Sequence, residues 1–199
     1  MKMIIIGGKG TIGSAVVKEL STRHEILIAS RESGDLICNI TSEESIRQMF
    51  IKAGKFDAVI ATTGAVHFED LSKMNSEKYR IGLENKLMGQ VNLVLIGLEY
   101  IQDKGSFTLT SGILSHDPIR TGSSASMVNS AINGFVRGAA IEMPRQIRIN
   151  AVSPTVILES MSVYAPYFRG FDPVPVAKVA LAYSKSVEGL QTGQIYNVI

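Results

Sequence analysis

Gly7-Gly8-Lys9-Gly10-Thr11-Ile12-Gly13 stands between an apolar run at residues 3–6 and a helical pattern in which Ile12, Val16, Val17 and Leu20 recur on one face. The run before it is short and β-branched, which suits a buried strand. Gly8, Gly10 and Gly13 fall at a Gly-x-Gly-x-x-Gly spacing, where backbone N–H groups can approach a pyrophosphate at a helix N-terminus. Gly7 and Gly10 free the tight turn for positive φ, and Gly13 lets the helix lie close on the strand. A glycine-rich connection with no ligand is the plainer alternative. Its position between a strand and a helix favours a dinucleotide site.

Outward from this loop the chain alternates strand and helix patterns. Further strands are expected at 25–29, 58–61, 106–110, 147–152 and 195–199, and helices at 43–53, 76–101, 123–143 and 176–186. Thr41 or Ser42 can cap the helix at 43–53. Residues 154–175 read as an irregular, Pro-rich stretch. The alternation predicts one α/β domain over residues 1–199, a mostly parallel sheet with helices on both faces. The run Leu36-Ile37-Cys38 resists the pattern. Only 31–35 separate it from the second strand, whereas a parallel crossover takes a dozen residues or more. It is either a stub of strand with a shortened connection or not in the sheet.

Composition narrows the function. The 199 residues carry 20 Lys and Arg against 18 Asp and Glu, a net charge of +2 with no block of one sign, so a nucleic-acid partner is not expected. An apolar fraction of 45% is too high for a disordered chain. The one cysteine, Cys38, excludes an internal disulfide or a Cys-x-x-Cys motif. The three histidines lack metal-ligand spacing, so no metal is expected. No apolar run approaches the roughly 20 residues of a membrane span, and no signal peptide is evident. A cytoplasmic protein without a membrane segment is the expectation.

The second strand ends at Ser30-Arg31, and Lys9 lies in the neighbouring loop. A carboxylate at that strand end would bind the ribose hydroxyls of NAD, whereas a cation accommodates the extra phosphate of NADP. Two cations and no acid favour NADP(H) over NAD(H).

From the glycine loop to the C-terminus the chain resembles the short-chain dehydrogenase/reductase family. Thr62-Thr63-Gly64 stands where that family has Asn-Ala-Gly, and Ser106-Phe-Thr-Leu-Thr-Ser111 is similar to the strand ending in its catalytic serine. Ser130-Ala-Ile-Asn-Gly-Phe135 resembles its long catalytic helix, Ile147-Arg-Ile-Asn-Ala-Val-Ser-Pro154 the strand beside the nicotinamide, and Thr192-Gly193-Gln194 the turn into the last strand. The resemblance implies a Rossmann fold and an oxidoreductase acting on a small carbonyl or alcohol. It also implies a cofactor site that takes in Gly7 to Gly13, Ser30, Arg31, Asn39, Thr62, Thr63, Gly64, Pro154, Thr155 and Val156. Small residues at Gly82, Gly89 and Gly97, and at Ser130, Gly134 and Gly138, would let the two long helices pack against their copies in a homo-oligomer, a dimer or tetramer.

Departures from the family pattern fall on its chemistry. In the family a Tyr-x-x-x-Lys pair supplies the proton donor and its activating cation. Aligning on the helix motif puts Ala125 at the Tyr position and Asn129 at the Lys position, while Lys86 takes the place of a catalytic Asn on the preceding helix. Ser111, Lys86 and Asn129 are therefore the catalytic candidates, with the Lys86 ammonium reaching toward the place of the absent lysine or else pointing to solvent. Ser111 could hydrogen-bond a substrate carbonyl or be tied to the backbone. His67, His116, Ser124 and Ser126 are the other candidates for proton transfer. Asn39 replaces the Asp beside the adenine, Thr155 replaces a glycine, and Glu159 stands where a threonine often faces the phosphates, so either Ser160 takes that role or the loop is arranged differently. A nucleotide-binding sensor or partner protein without turnover is the competing function.

Overall fold

Met3 and Ile5 point to one face of a central sheet and Ile4 and Ile6 to the other, and all four are buried. That two-sided burial is what a strand covered by helices on both faces requires. The structure, a computed structural model, describes residues 1–199. Its strands are β1 (Lys2–Ile6), β2 (Glu25–Ser30), β3 (Leu36–Ile37), β4 (Phe56–Ala61), β5 (Ile101–Thr110), β6 (Arg148–Pro154) and β7 (Ile195–Val198). They form one parallel sheet in the order β3-β2-β1-β4-β5-β6-β7, a doubly wound Rossmann-type α/β fold. Helices α1 (Thr11–Leu20) and α7 (Val176–Glu188) cover the face of Met3 and Ile5. Helices α2 (Glu43–Ala53), α4 (Met88–Gly97) and α5 (Ser123–Ala140) cover the other. Shorter α3 (Ser76–Gly82) leads into α4, and one-turn α6 (Met161–Tyr164) lies in the strap before α7.

The Leu36-Ile37-Cys38 run is resolved in favour of a stub. Leu36 and Ile37 pair in parallel with Ala29 and Ser30, the last two residues of β2. A long crossover is needed only when the chain must return to the start of its neighbour. Here it retreats by about one residue, roughly 3.3 Å, and residues 31–35 suffice. Asp35 fixes this loop, its N–H donating to the Ile28 carbonyl at 2.9 Å and its carboxylate accepting from the Ile28 N–H at 2.8 Å. With no crossover helix above them, Ile26, Leu27 and Ile28 stay half-buried.

Most element ends shift by a few residues from the sequence expectation, and the largest differences lie between α4 and β5. Helix α4 stops at Gly97 rather than at 101, and β5 begins at Ile101. Gly97 lies so close to Phe107 that a Cβ would sit 2.8 Å from the ring. Arg145 then holds the turn by donating to the Leu98 and Ile101 carbonyls. The long helical pattern is also interrupted by a π-turn at Leu83–Leu87. Such a turn carries one extra residue and commonly occurs at functional sites. The candidate oligomer stripe divides likewise. Gly82, Gly89 and Gly97 pack on Val128, Ile40 and Phe107 of their own chain, whereas Gly134 and Gly138 face open space.

Candidate active site

Because every strand is parallel, the ends of β1, β2, β4, β5 and β6 meet at one edge of the sheet. Chain order reverses between β1 and β4, the place where such sheets leave a crevice. Gly7 lies against β4 there, and a Cβ on it would sit 2.8 Å from the Thr62 carbonyl oxygen. Gly7 alone of the loop glycines has a positive φ, +83°. Gly10, expected to share it, is extended at the N-cap of α1 (φ −75°, ψ 173°), and its N–H closes the turn onto the Gly7 carbonyl at 2.9 Å. At Gly13 a Cβ would meet that same carbonyl oxygen at 2.1 Å and the Thr62 hydroxyl at 2.7 Å. Glycine is therefore required at 13 for α1 to begin against the strand. Thr11 and Ile12 form its first turn, and Ile12 borders the cleft.

Two hollows lie along this edge and share Thr63 and Gly64. The outer one, about 280 Å³, is bordered by Gly7, Ser30, Arg31, Asn39 and Asn85. Lys9 lies outside this lining and donates to the Ser33 hydroxyl at 2.8 Å, while Ser30, which borders the hollow, donates to the Ser33 carbonyl. Arg31 is exposed and forms no ion pair. Asn39 turns its Oδ1 inward to the Thr41 N–H and hydroxyl, at 3.2 and 2.9 Å. These residues fit a dinucleotide: a cradle that one Cβ would fill, a positive rim, and a helix N-terminus with no acid in its first turn.

The inner hollow, about 300 Å³, is walled by Val66, Phe68, Ile113, Leu114 and Phe168 and floored by Lys86, Ser111, Asn129 and Thr155. Lys86 is its one charged lining residue. The Lys86 ammonium donates to Asn129 Oδ1 at 2.7 Å and to the Ser111 carbonyl at 3.1 Å. It points into the cluster and not to solvent. Burial lowers its pKa to about 8, and no carboxylate offsets that. The π-turn sets this direction, sending Asn85 to accept from the Ala65 N–H at 2.8 Å while Lys86 turns to the cleft. Buried Gln90 ties the turn to the end of β5: its amide donates to the Lys86 and Thr110 carbonyls, and its Oε1 accepts from the Thr110 N–H at 2.7 Å.

The remaining candidates separate. The Ser111 hydroxyl donates to the Asn129 backbone carbonyl at 3.0 Å, so its proton already has a partner. His67 pairs with Glu69 at 3.1 Å and His116 with the Ser115 hydroxyl at 3.2 Å, and neither borders the inner hollow. Side-chain direction, which a loop position does not specify, removes both. Ser124 and Ser126 also lie outside it, while Ala125 is in its wall. Glu159 points away from the phosphate side, both carboxylate oxygens accepting from the Val176 N–H that opens α7, and Ser160 borders the hollow instead. Pro154 and Val156 complete that border. Tyr164 and Phe168 are lining residues the sequence reading missed. Their i, i+4 aromatic spacing in the strap was the available signal. No group of three or more His, Cys, Asp or Glu side chains is placed to hold a metal, and no helix is long and apolar enough to cross a membrane.

A short-chain dehydrogenase model described as enoyl-(acyl carrier protein) reductase matches residues 12–194. The chain belongs to the short-chain dehydrogenase/reductase family. Among solved structures, the protein lin1944 from Listeria innocua is 50% identical, with a TM-score of 0.99 and full coverage of both chains. A small-chain dehydrogenase in complex with NADPH is 25% identical, with a TM-score of 0.88 over 100% of this chain and 96% of that one. The 1,2-dihydroxy-1,2-dihydronaphthalene dehydrogenase of Pseudomonas sp. (strain C18) is 28% identical over 163 residues, 78% of this chain. The chain spans 59% of that relative's length.

Proposed function

We propose that this chain, as one nucleotide-binding domain over residues 1–199, is an NADP(H)-dependent oxidoreductase acting on a small carbonyl or alcohol. The observation that carries the reading is the meeting of two hollows at Thr63 and Gly64, a glycine cradle with a positive rim on one side and the Lys86–Ser111–Asn129 cluster on the other. Gly7 to Gly13 and Thr62 would hold the pyrophosphate, Asn39 the adenine side, and Thr63, Gly64 and Pro154 to Val156 the nicotinamide side. Lys9 and Arg31 would take the 2′-phosphate, which favours NADP(H) over NAD(H). The related small-chain dehydrogenase in complex with NADPH supports that choice. When bound, the reduced nicotinamide supplies the hydride for a carbonyl carbon. The apolar walls exclude water, and the polar floor orients the carbonyl oxygen.

A second reading, nucleotide binding without turnover, is favoured by Ala125 and Asn129 at the positions aligned with the family's Tyr and Lys. One experiment separates the two. The purified protein is titrated with NADPH and NADH by fluorescence, and absorbance of bound NADPH is then followed against aldehydes, ketones and quinones. Tight NADPH binding with turnover supports the oxidoreductase; tight binding without turnover on the whole panel supports the second reading. Failure to bind either nucleotide removes both.

We place the protein in the cytoplasm and as a homo-oligomer, dimer or tetramer. Buried Cys38, whose thiol burial pushes up to about 12, is inert and compatible with a reducing compartment. The open side of Gly134 and Gly138 on α5, beside an apolar groove that includes Leu95, Leu98 and Phe135, supports close helix approach by a second copy.

A further inference from the structure

We infer that Lys86 is the acid of this site, giving the proton of its one unengaged N–H to the oxygen of a neutral, apolar aldehyde or ketone. The inference rests on the oxidoreductase reading and deepens it. An ammonium carries three donors. Two of them, to Asn129 Oδ1 and the Ser111 carbonyl, hold the group in place and leave the third for the cleft that Lys86 lines. Both acceptors are neutral, so the group keeps a full positive charge with which to meet a developing alkoxide.

The other histidine, tyrosine and catalytic-serine candidates near the cleft are engaged or unsupported, and the Thr63, Thr155 and Ser160 hydroxyls that line it are ordinary alcohols, poor acids without a base or cation to assist them. Ser111 donates to a backbone carbonyl, His67 is bound to Glu69, and His116 lies elsewhere. Tyr164 borders the hollow from the exposed strap. Its ring packs edge-on against Phe168, and no cation lies over it to make its proton easier to release. The class of substrate follows from the walls. Val66, Phe68, Leu114 and Phe168 offer no partner for a charged group, and no lining carboxylate would hold an amine.

The step balances. The carbonyl carbon accepts a hydride, with both its electrons, from NADPH. The carbonyl π bond opens onto oxygen, and that oxygen forms its O–H bond as the Lys86 N–H bond breaks. The products are an alcohol, NADP⁺ and a neutral Lys86 amine, which regains a proton from water. The lowered pKa, about 8, keeps most of the group charged at neutral pH and makes the proton easier to give up than an ordinary lysine's.

The test uses the full chain, Lys86→Met, Lys86→Arg and Tyr164→Phe, with NADPH and the aldehyde and ketone panel. In the wild type without nucleotide, trace acetic anhydride labelling read by mass spectrometry is expected to give Lys86 a midpoint of about 8. An ordinary midpoint, about 10.4, overturns the assignment. Lys86→Met is expected to bind NADPH within about threefold of wild type, because the proton donor does not hold the nucleotide. It should lose about 10²–10⁴-fold in kcat, together with the wild-type decline in reduction above pH 8. A tenfold or greater loss of NADPH affinity would make Lys86 a ribose-binding residue and overturn its role as acid. Retained turnover in Lys86→Met, with the proton step lost in Tyr164→Phe instead, overturns it as well. Lys86→Arg, which keeps the charge but hardly releases a proton, should stay nearly as slow as Lys86→Met; full rescue would leave only charge as the contribution. Absence of NADPH binding in the wild type fails the oxidoreductase reading itself, and absence of wild-type turnover removes both.

Discussion

Gly64 lies flat against the stem of Lys86: a Cβ at residue 64 would sit 2.6 Å from Lys86 Cγ and 2.9 Å from its Cα. The glycine has φ +136°, a backbone conformation that side chains disfavour, so both its shape and its dihedral belong to glycine. The loop after β4 thus sets how far the lysine can lean. It presses the stem toward α5, where Asn129 receives the ammonium.

Gly64→Ala is therefore expected to move Lys86 while leaving the core intact. The strain of the positive φ costs about 1–3 kcal/mol, a fall of several degrees in Tm by thermal unfolding. The sharper readout is the lysine itself. Displaced toward water, it sheds the burial that lowers its pKa and should label with acetic anhydride at a higher pH than in the wild type, closer to an ordinary lysine. An unchanged midpoint would mean that the loop gives way and not the lysine.

Gln90 provides a test of what holds the π-turn. It is fully buried, and its amide satisfies the Lys86 and Thr110 carbonyls and the Thr110 N–H. Gln90→Leu keeps the volume and leaves those groups without partners. At about 1–3 kcal/mol for an unsatisfied buried group, the variant should lose roughly 2–5 kcal/mol by urea unfolding. A loss below 1 kcal/mol would show that the turn is held by packing alone.

Much of this site could be read from the chain, and the reasons for the rest are specific. The glycine loop, β1 and β4 are local patterns, each with its own hydrophobic period or turn residues. The end of α4 was hidden because Leu98, Tyr100 and Ile101 continue an apolar pattern that a strand also satisfies. The π-turn carries no composition of its own, yet it sends Asn85 and Lys86 to opposite tasks. Alignment could bring Lys86 to the right region but could not say that its ammonium meets Asn129. The strap residues Tyr164 and Phe168 lack any long period, and only the tertiary fold returns them to the cleft. His67 and His116 were plausible by position, and their side-chain directions removed them.

Arg31 provides a test of the cofactor preference. It is exposed and unpaired beside the outer hollow, so Arg31→Ala should leave the fold unchanged. A hydrogen bond to a charged group contributes about 1.5–3 kcal/mol, so the NADPH dissociation constant should rise about 10- to 100-fold. NADH, which lacks the 2′-phosphate, should bind within about twofold of wild type by the same fluorescence titration. Equal weakening of both nucleotides would place Arg31 near a part they share.

Glu188 joins α7 to the end of α1, accepting from Arg23 Nε at 2.9 Å and the Ser184 hydroxyl at 2.7 Å, with His24 Nε2 at 2.8 Å. Its bonds to Arg23 and Ser184 hold its carboxyl down to about 2. A depressed acid stabilises the fold in full above its unfolded value, about 4.3, and that contribution disappears as pH falls through the folded value. The group is partly exposed, so solvent screening limits the contribution to about 1 kcal/mol at neutral pH. Glu188→Gln should accordingly lower Tm by a few degrees at pH 7, and the gap from wild type should close between pH 4 and pH 2. Molar salt should narrow the gap at pH 7 as well, because the Debye length falls to about 3 Å. A gap that stays constant down to pH 2 would assign the effect to hydrogen bonding that glutamine retains poorly, and not to the ion pair with Arg23.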